Sequence, residues 1–163
     1  MGSMSKEKQN FGEHLFTKIV RGTRSVEYVE NMDDIRSKKA APPLQGARVD
    51  GHVEITFLGP MVKGTGTGVD YANYRADGLI ELHVHEEIST DDGAKIAAFA
   101  TGIGYWEDGA LLVRENLTFF AGDRRYAWLN RVLAWGQGKT GSGGDGLRIE
   151  VYSANGPVTL LSP

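Results

Sequence analysis

The sequence predicts an all-β fold, a single antiparallel up-and-down β-barrel with an internal ligand pocket and at most one short helix, near the N-terminal third. Three observations predict it. Short runs rich in β-branched and aromatic residues recur along the chain, turn signals such as Asp91-Asp92-Gly93 and Glu107-Asp108-Gly109 separate them, and several runs are apolar on one face and mixed on the other. Consecutive strands joined by tight turns pair antiparallel, and closure removes the unpaired edges. A partly polar inner face suits a barrel that holds a ligand better than it suits a solid sandwich core.

The elements follow in order. Residues 1–10 are set apart: Met1-Gly2-Ser3-Met4 reads as a tag remnant before a second start, and Ser5 to Asn10 is polar and flexible, which leaves 11–163 as the barrel domain. HLFTKIVRG (14–22) has the β-branched content of a strand and stops at Gly22. SVEYVENMDDIRSKKAAPPLQG is the one charged, weakly helical stretch, ended by Pro42-Pro43, since proline lacks the amide and disfavours helix before it; it can serve as lid or plug. HVEITFLGPMVKG (52–64) is a strand broken at Gly59-Pro60, and GTGTG (64–68) is a glycine-dense bend. Further strands follow at GLIELHVHEEIS, AKIAAFATGIGYW, ALLVRENLTFF, RVLAWGQG and GLRIEVYSA, with GQGKTGSGGDG (136–146) as a mobile hairpin loop.

Composition excludes several classes of function. A chain of 163 residues with 40% hydrophobic content and a net charge of −3 fits one globular domain. Without cysteine there is no disulfide framework and no thiolate chemistry. No run approaches the ~18 apolar residues of a membrane helix and no secretory signal is apparent, so the expectation is a soluble, cytoplasmic protein with no membrane partner. Acidic residues (21) outnumber basic ones (18) and no Lys/Arg stripe with interleaved aromatics appears, which argues against nucleic acid. Gly138-Lys139-Thr140 echoes a phosphate-binding loop, but it lacks the upstream glycine spacing and the following helix. Asn116-Leu117-Thr118 matches a glycosylation pattern only by coincidence in a chain expected to stay inside the cell.

The chemistry-bearing run is IELHVHEEISTDDG (80–93). On a strand, Glu81, His83, His85 and Glu87 share one face and Leu82 and Val84 the other. Two orientations are open. If the polar face is the solvated side of an amphipathic strand, it carries no chemistry. If it faces a sheltered cup with Asp70, Tyr71 and Arg75 from the preceding segment, burial and neighbouring charge bring an imidazole toward proton transfer near neutral pH. In that orientation His83 or His85 moves the proton, Glu81 or Asp70 orients the imidazole, Tyr71 donates to an oxygen and Arg75 neutralises oxyanion charge. A cupin-like metal site is the third alternative, but His-x-His lacks the further ligands, so no metal and no cofactor are expected.

The segments TFLGPMVKG (56–64), GVDYANYRADGLIEL (68–82), TDDGA (90–94) and FFAGDRRYAWLNRVLAWGQG (119–138) resemble the domain-of-unknown-function 3237 family in order and spacing. With HLFTKIVRG, the resemblance covers about 13–152, and Gly122-Asp123-x-Arg125-Tyr126-Ala127-Trp128-Leu129-Asn130-Arg131 is its most specific motif. It implies a calycin-like or streptavidin-like barrel, often oligomeric, which makes a homodimer the expected assembly. The chain matches the family pattern at Asp70, Tyr71, Arg75, Asp77, Gly78 and Glu81. It departs where His83 and His85 replace a small acid and an arginine, and where FATGIG replaces an Asn-Arg-Gly turn.

Aromatic residues supply candidate substrate contacts. Trp106, Tyr126, Trp128 and Phe99 can wall or rim a pocket and Asn130 can bond a ligand; equally, Tyr126, Trp128 and Asn130 can plug a barrel end while Asp123 and Arg125 pin the loop. No serine or cysteine stands with a base partner, so a covalent route is disfavoured. The expected function is therefore a cofactor-independent lyase, isomerase or cyclase acting by general acid–base catalysis on a small, largely apolar oxygenated molecule, aromatic, polyketide or terpenoid in type, in secondary metabolism. A non-catalytic carrier barrel and a cupin-like metal enzyme are the alternatives.

Overall fold

A computed structural model describes residues 12–141 and 146–154. The set-apart residues 1–10 and part of the 136–146 segment lie outside the described residues. The strands are β1 (His14–Glu27), β2 (Ala47–Pro60), β3 (Lys63–Tyr74), β4 (Ile80–Thr90), β5 (Lys95–Glu107), β6 (Ala110–Ala121), β7 (Ala134–Thr140) and β8 (Leu147–Ser153). Each pairs antiparallel with its sequence neighbour, and β1 pairs with β8 to close the barrel. Among the described residues, helix is confined to one short turn, α1 (Met32–Arg36), and a 3-10 turn at Ala127–Arg131.

The punctuation behaves as the turn signals require. Asp108 and Gly109 both have positive φ and link Glu107 to its partner Ala110, the backbone that a two-residue hairpin of matching twist needs. Three expectations are corrected. Gly22 does not stop β1; it sits at a register shift between Gly22 and Arg24, where a bulge bends the strand and lets it run on to Glu27. GTGTG is not a bend but part of β3, whose partners run without a break from Gly64 to Gly68 on both sides. Gly136 to Thr140 likewise belong to β7 and not to a loop.

Alternation fills the barrel unevenly. Toward the end closed by the turn after β2 and the 3-10 turn, Leu15, Phe16, Ile55, Phe57, Ile88, Leu117, Phe119 and Leu129 form a solid core. Phe16 there meets Phe57 and Phe119 edge-on at 5.4 and 6.1 Å. At the other end a cavity opens, lined by Val20, Gly51, Val53, Leu82, Leu111 and Val113, while Gly68, Gly102 and Gly138 let neighbouring strands approach closely. Met32 and Ile35 of α1 pack on Ala47, Val49 and Tyr74, so the helical stretch covers the β2–β3 corner of that open end.

At Gly102 and Gly138 glycine is a steric requirement. A Cβ at Gly102 would lie 2.0 Å from the backbone oxygen of Arg114 on β6. Gly102→Ala is therefore expected to cost about 1–3 kcal/mol, because neither backbone can yield without parting the ladder. Urea denaturation of the variant beside the parent protein measures this, and an unchanged midpoint contradicts it.

Candidate active site

Three strands each place one charge on an otherwise apolar inner face. Phe16 and Val20 flank Lys18 on β1, Val84 and Ile88 flank Glu86 on β4, and Val113 and Leu117 flank Glu115 on β6. The register makes room for them: Gly68 lies opposite Glu86, while Gly102 and Gly136 lie on either side of Glu115. The three side chains converge in the barrel at the floor of a cavity of about 530 Å³, whose walls include Val20, Val53, Leu82, Val113 and Ile149.

Lys18 Nζ donates to Glu86 Oε1 and lies 2.8 Å from Glu115 Oε1. The cluster is sealed, with side-chain exposures of 1% for Lys18, 1% for Glu86 and 2% for Glu115. Glu86 Oε2 has no hydrogen-bond partner among the described residues, and Glu115 Oε1 touches the ammonium as an ion pair without hydrogen-bond alignment. One cation thus faces two carboxyl groups in a poorly solvating place, where two full negative charges are costly.

The electrostatics follow. Burial works against the Lys18 ammonium, but attraction to Glu115 and Glu86 outweighs it and raises its pKa above the ordinary 10.5. Burial drives the Glu115 carboxyl above its ordinary 4.5; Lys18 opposes the rise and Glu86 and Asp70 add to it. Asp70, also lining the cavity, is raised by burial against the pull of the His83 amide and of Lys18. The arrangement therefore combines a fixed cation, a carboxyl that burial biases to hold a proton and a second carboxyl group beside them. These are the parts of general acid–base chemistry.

Of the residues singled out from the sequence, Asp70 alone among the polar set lines this cavity, and its Oδ1 accepts the His83 backbone N–H at 2.9 Å. His83 and His85 take the solvated orientation. Both are exposed on the outer wall, in a cluster with Tyr71 and Phe99: the two imidazoles are 5.5 Å apart and lie 5.2 and 5.0 Å from the Phe99 ring. The inward orientation is thereby corrected. Leu82 and Val84 take the sheltered side because burying aliphatic groups is favourable and burying unpaired imidazoles is not. Glu81 and Arg75 are also exposed, 3.6 Å apart, with Arg75 on Asp77 at 2.7 Å.

The aromatic candidates do not converge on the cavity either. Phe99 and Tyr71 stand on the outer wall, and Trp106 lines a shallow groove with α1. Tyr126 donates to Asp92 at 2.9 Å, Trp128 packs on the solid core, and Asn130 bridges the Ala121 amide and carbonyl at 2.8 and 2.7 Å. Arg125 holds Asp123 at 2.8 Å and Asp92 at 3.3 Å, so the motif pins the closed end. Among the described residues, no group of three or more His, Asp or Glu side chains converges to hold a metal ion, and no helix is long and apolar enough to cross a membrane.

Sequence reasoning missed Lys18, Glu86 and Glu115. The signal was present: the alternation that places His83 and His85 on one face leaves Glu86 as the single charge among Leu82, Val84 and Ile88 on the other.

The family profile described as "Protein of unknown function (DUF3237)" matches residues 13–154. The chain belongs to the DUF3237 family. This DUF3237 chain is 29% identical over 114 residues, 70% of its length, to the hydroalkoxylation enzyme phnH of Penicillium herquei; the match spans 66% of that enzyme. Solved structures share the barrel. A conserved protein of unknown function from Rhodopseudomonas palustris has a TM-score of 0.68 at 21% identity over 86% of this chain and 95% of that one. A β-barrel-like protein from Acinetobacter baumannii gives 0.68 at 19% over 86% and 93%. An enzyme from P. herquei gives 0.57 at 23% over 85% and 92%. At these identities the structural likeness of the DUF3237 chain carries the fold alone.

Proposed function

We propose that this protein is a cofactor-independent enzyme that moves a proton between oxygen and carbon of a small, largely apolar molecule seated in the barrel. The observation that carries this reading is the sealed Lys18, Glu86 and Glu115 cluster at the floor of an apolar cavity. Glu86 takes the proton of a substrate hydroxyl, Glu115 delivers one to carbon, and Lys18 holds both carboxyl groups in place and balances their charge.

The reaction class that fits best is addition of a hydroxyl across a carbon–carbon double bond within one molecule. The O–H bond and the π bond break, a C–O and a C–H bond form, and a ring closes with no change in oxidation state. The name of the P. herquei relative, a hydroalkoxylation enzyme, supports this choice. Between turnovers the proton gained by Glu86 must return to Glu115, and the contact of both carboxyl groups with one ammonium supports an exchange over that short path.

Incubation with a panel of alkenyl phenols and alkenyl alcohols in deuterated water tests the reading. Cyclic ethers carrying deuterium on the carbon beside the ring oxygen's new bond are expected. Binding of the panel with no conversion leaves the apolar walls as those of a carrier and sinks the enzymatic reading. In the same assay, His83→Ala and His85→Ala are expected to keep their rate within about twofold, since both rings lie outside the cavity. A loss of about a hundredfold in either would return the chemistry to the outer wall.

A further inference from the structure

We infer that the cavity floor selects its ligand through one neutral hydroxyl, phenolic or alcoholic, on an apolar body, and rejects molecules whose polar end is a carboxylate, phosphate or sulfonate. Three features of the floor lead there. Glu86 Oε2 is a buried acceptor without a hydrogen-bond donor among the described residues, so the group that completes the site must donate. Lys18, the cation between the carboxyl groups, is itself 1% exposed and engaged by both, so it presents no free positive charge to an anion, and Arg21, the other cation of the lining, is exposed to solvent. Asp70 lines the same cavity and adds acidic character. An anionic head would meet acceptors where it needs donors, and like charge where it needs opposite charge.

The walls restrict the rest of the molecule. Val20, Val53, Leu82, Val113 and Ile149 offer no polar side-chain group, so a second polar substituent at that depth would lose its water without replacement. A cavity of about 530 Å³ is within the range that encloses most of a small ligand. A hydroxyl also suits this place better than an ammonium, because it satisfies the unpaired oxygen without carrying a charge between aliphatic walls.

This inference deepens the acid–base reading, because the hydroxyl seated on the floor is the one that would be deprotonated, yet recognition can be tested without turnover. The probes are a matched series on one unreactive body: 2-naphthol, 2-methoxynaphthalene, 2-naphthoate and 2-naphthylmethylammonium, titrated calorimetrically into the whole protein. 2-Naphthol is expected to bind about tenfold or more tightly than each of the others. Leu82→Trp, which fills the cavity from its wall, is expected to abolish that binding, and Glu86→Gln is expected to narrow the gap between naphthol and its methyl ether. The wild-type series decides the matter even if a variant does not fold. Equal or tighter binding of the ether, the naphthoate or the ammonium overturns the inference, as does naphthol binding that survives in folded Leu82→Trp. Hydroxyl preference without conversion of alkenyl phenols sinks the enzymatic reading alone; conversion without hydroxyl preference sinks this inference alone.

Discussion

Lys18→Met is expected to destabilise the protein by about 3–5 kcal/mol at neutral pH, the cost of leaving buried carboxyl groups without their cation. Methionine keeps the approximate length and apolar character of the lysine stem, so the loss reports charge. The variant should recover stability on acidification, because protonation removes the buried carboxylate charge that Lys18 no longer balances. In the parent protein the Lys18 contribution has the opposite limit: its folded pKa lies above the ordinary 10.5, so its stabilisation is complete below that value and is lost only as strongly alkaline pH passes the folded pKa. Replacing all three together, Lys18→Met with Glu86→Leu and Glu115→Leu, should be neutral or stabilising by about 1–4 kcal/mol. Urea midpoints across pH measure both, and a Lys18→Met protein as stable as its parent would mean that the cluster does not carry the charges assigned to it.

Glu115→Gln is expected to lower kcat on the alkenyl phenols by about 10²- to 10⁴-fold while changing KM little, since the amide keeps the shape of the carboxyl but has no proton to deliver to carbon. The same substitution should change the pH dependence of stability. The folded pKa of Glu115 is above 4.5, so the folded protein holds a proton that the unfolded chain releases. The stabilisation from that proton is full below 4.5 and is lost as pH rises through the folded value. In Glu115→Gln this fall should become shallower, leaving the part that Asp70, also raised by burial, contributes. A variant with parental kcat, or with an unchanged pH slope, contradicts the role given to this carboxyl.

Legibility differed between fold and site. Strand punctuation is local chemistry: Asp108-Gly109 can adopt the two positive φ angles of a tight hairpin almost independently of its surroundings, and it was readable. Glycine was less so, because the same residue serves opposite ends. Gly66 and Gly68 look like a bend in isolation, yet in β3 they are small inner positions that admit Phe57 and Glu86. The conspicuous residues also misled. His83 and His85 are chemically versatile, but their apolar neighbours Leu82 and Val84 had the stronger claim on the interior, and Tyr126, Trp128 and Asn130 answer to the packing of the closed end.

By itself the sequence determined the strands, their antiparallel order, the barrel and the family, because alternation, turn chemistry and a long motif act over short stretches of chain. It also determined that Lys18, Glu86 and Glu115 would each interrupt an apolar face. Only the tertiary structure decided that these interruptions meet. They come from β1, β4 and β6, with Lys18 and Glu86 separated by 68 positions along the chain, and closure of the barrel is what brings one ammonium between two carboxyl groups. Their altered proton affinities arise from that proximity and from the loss of water, neither of which exists until the chain has folded.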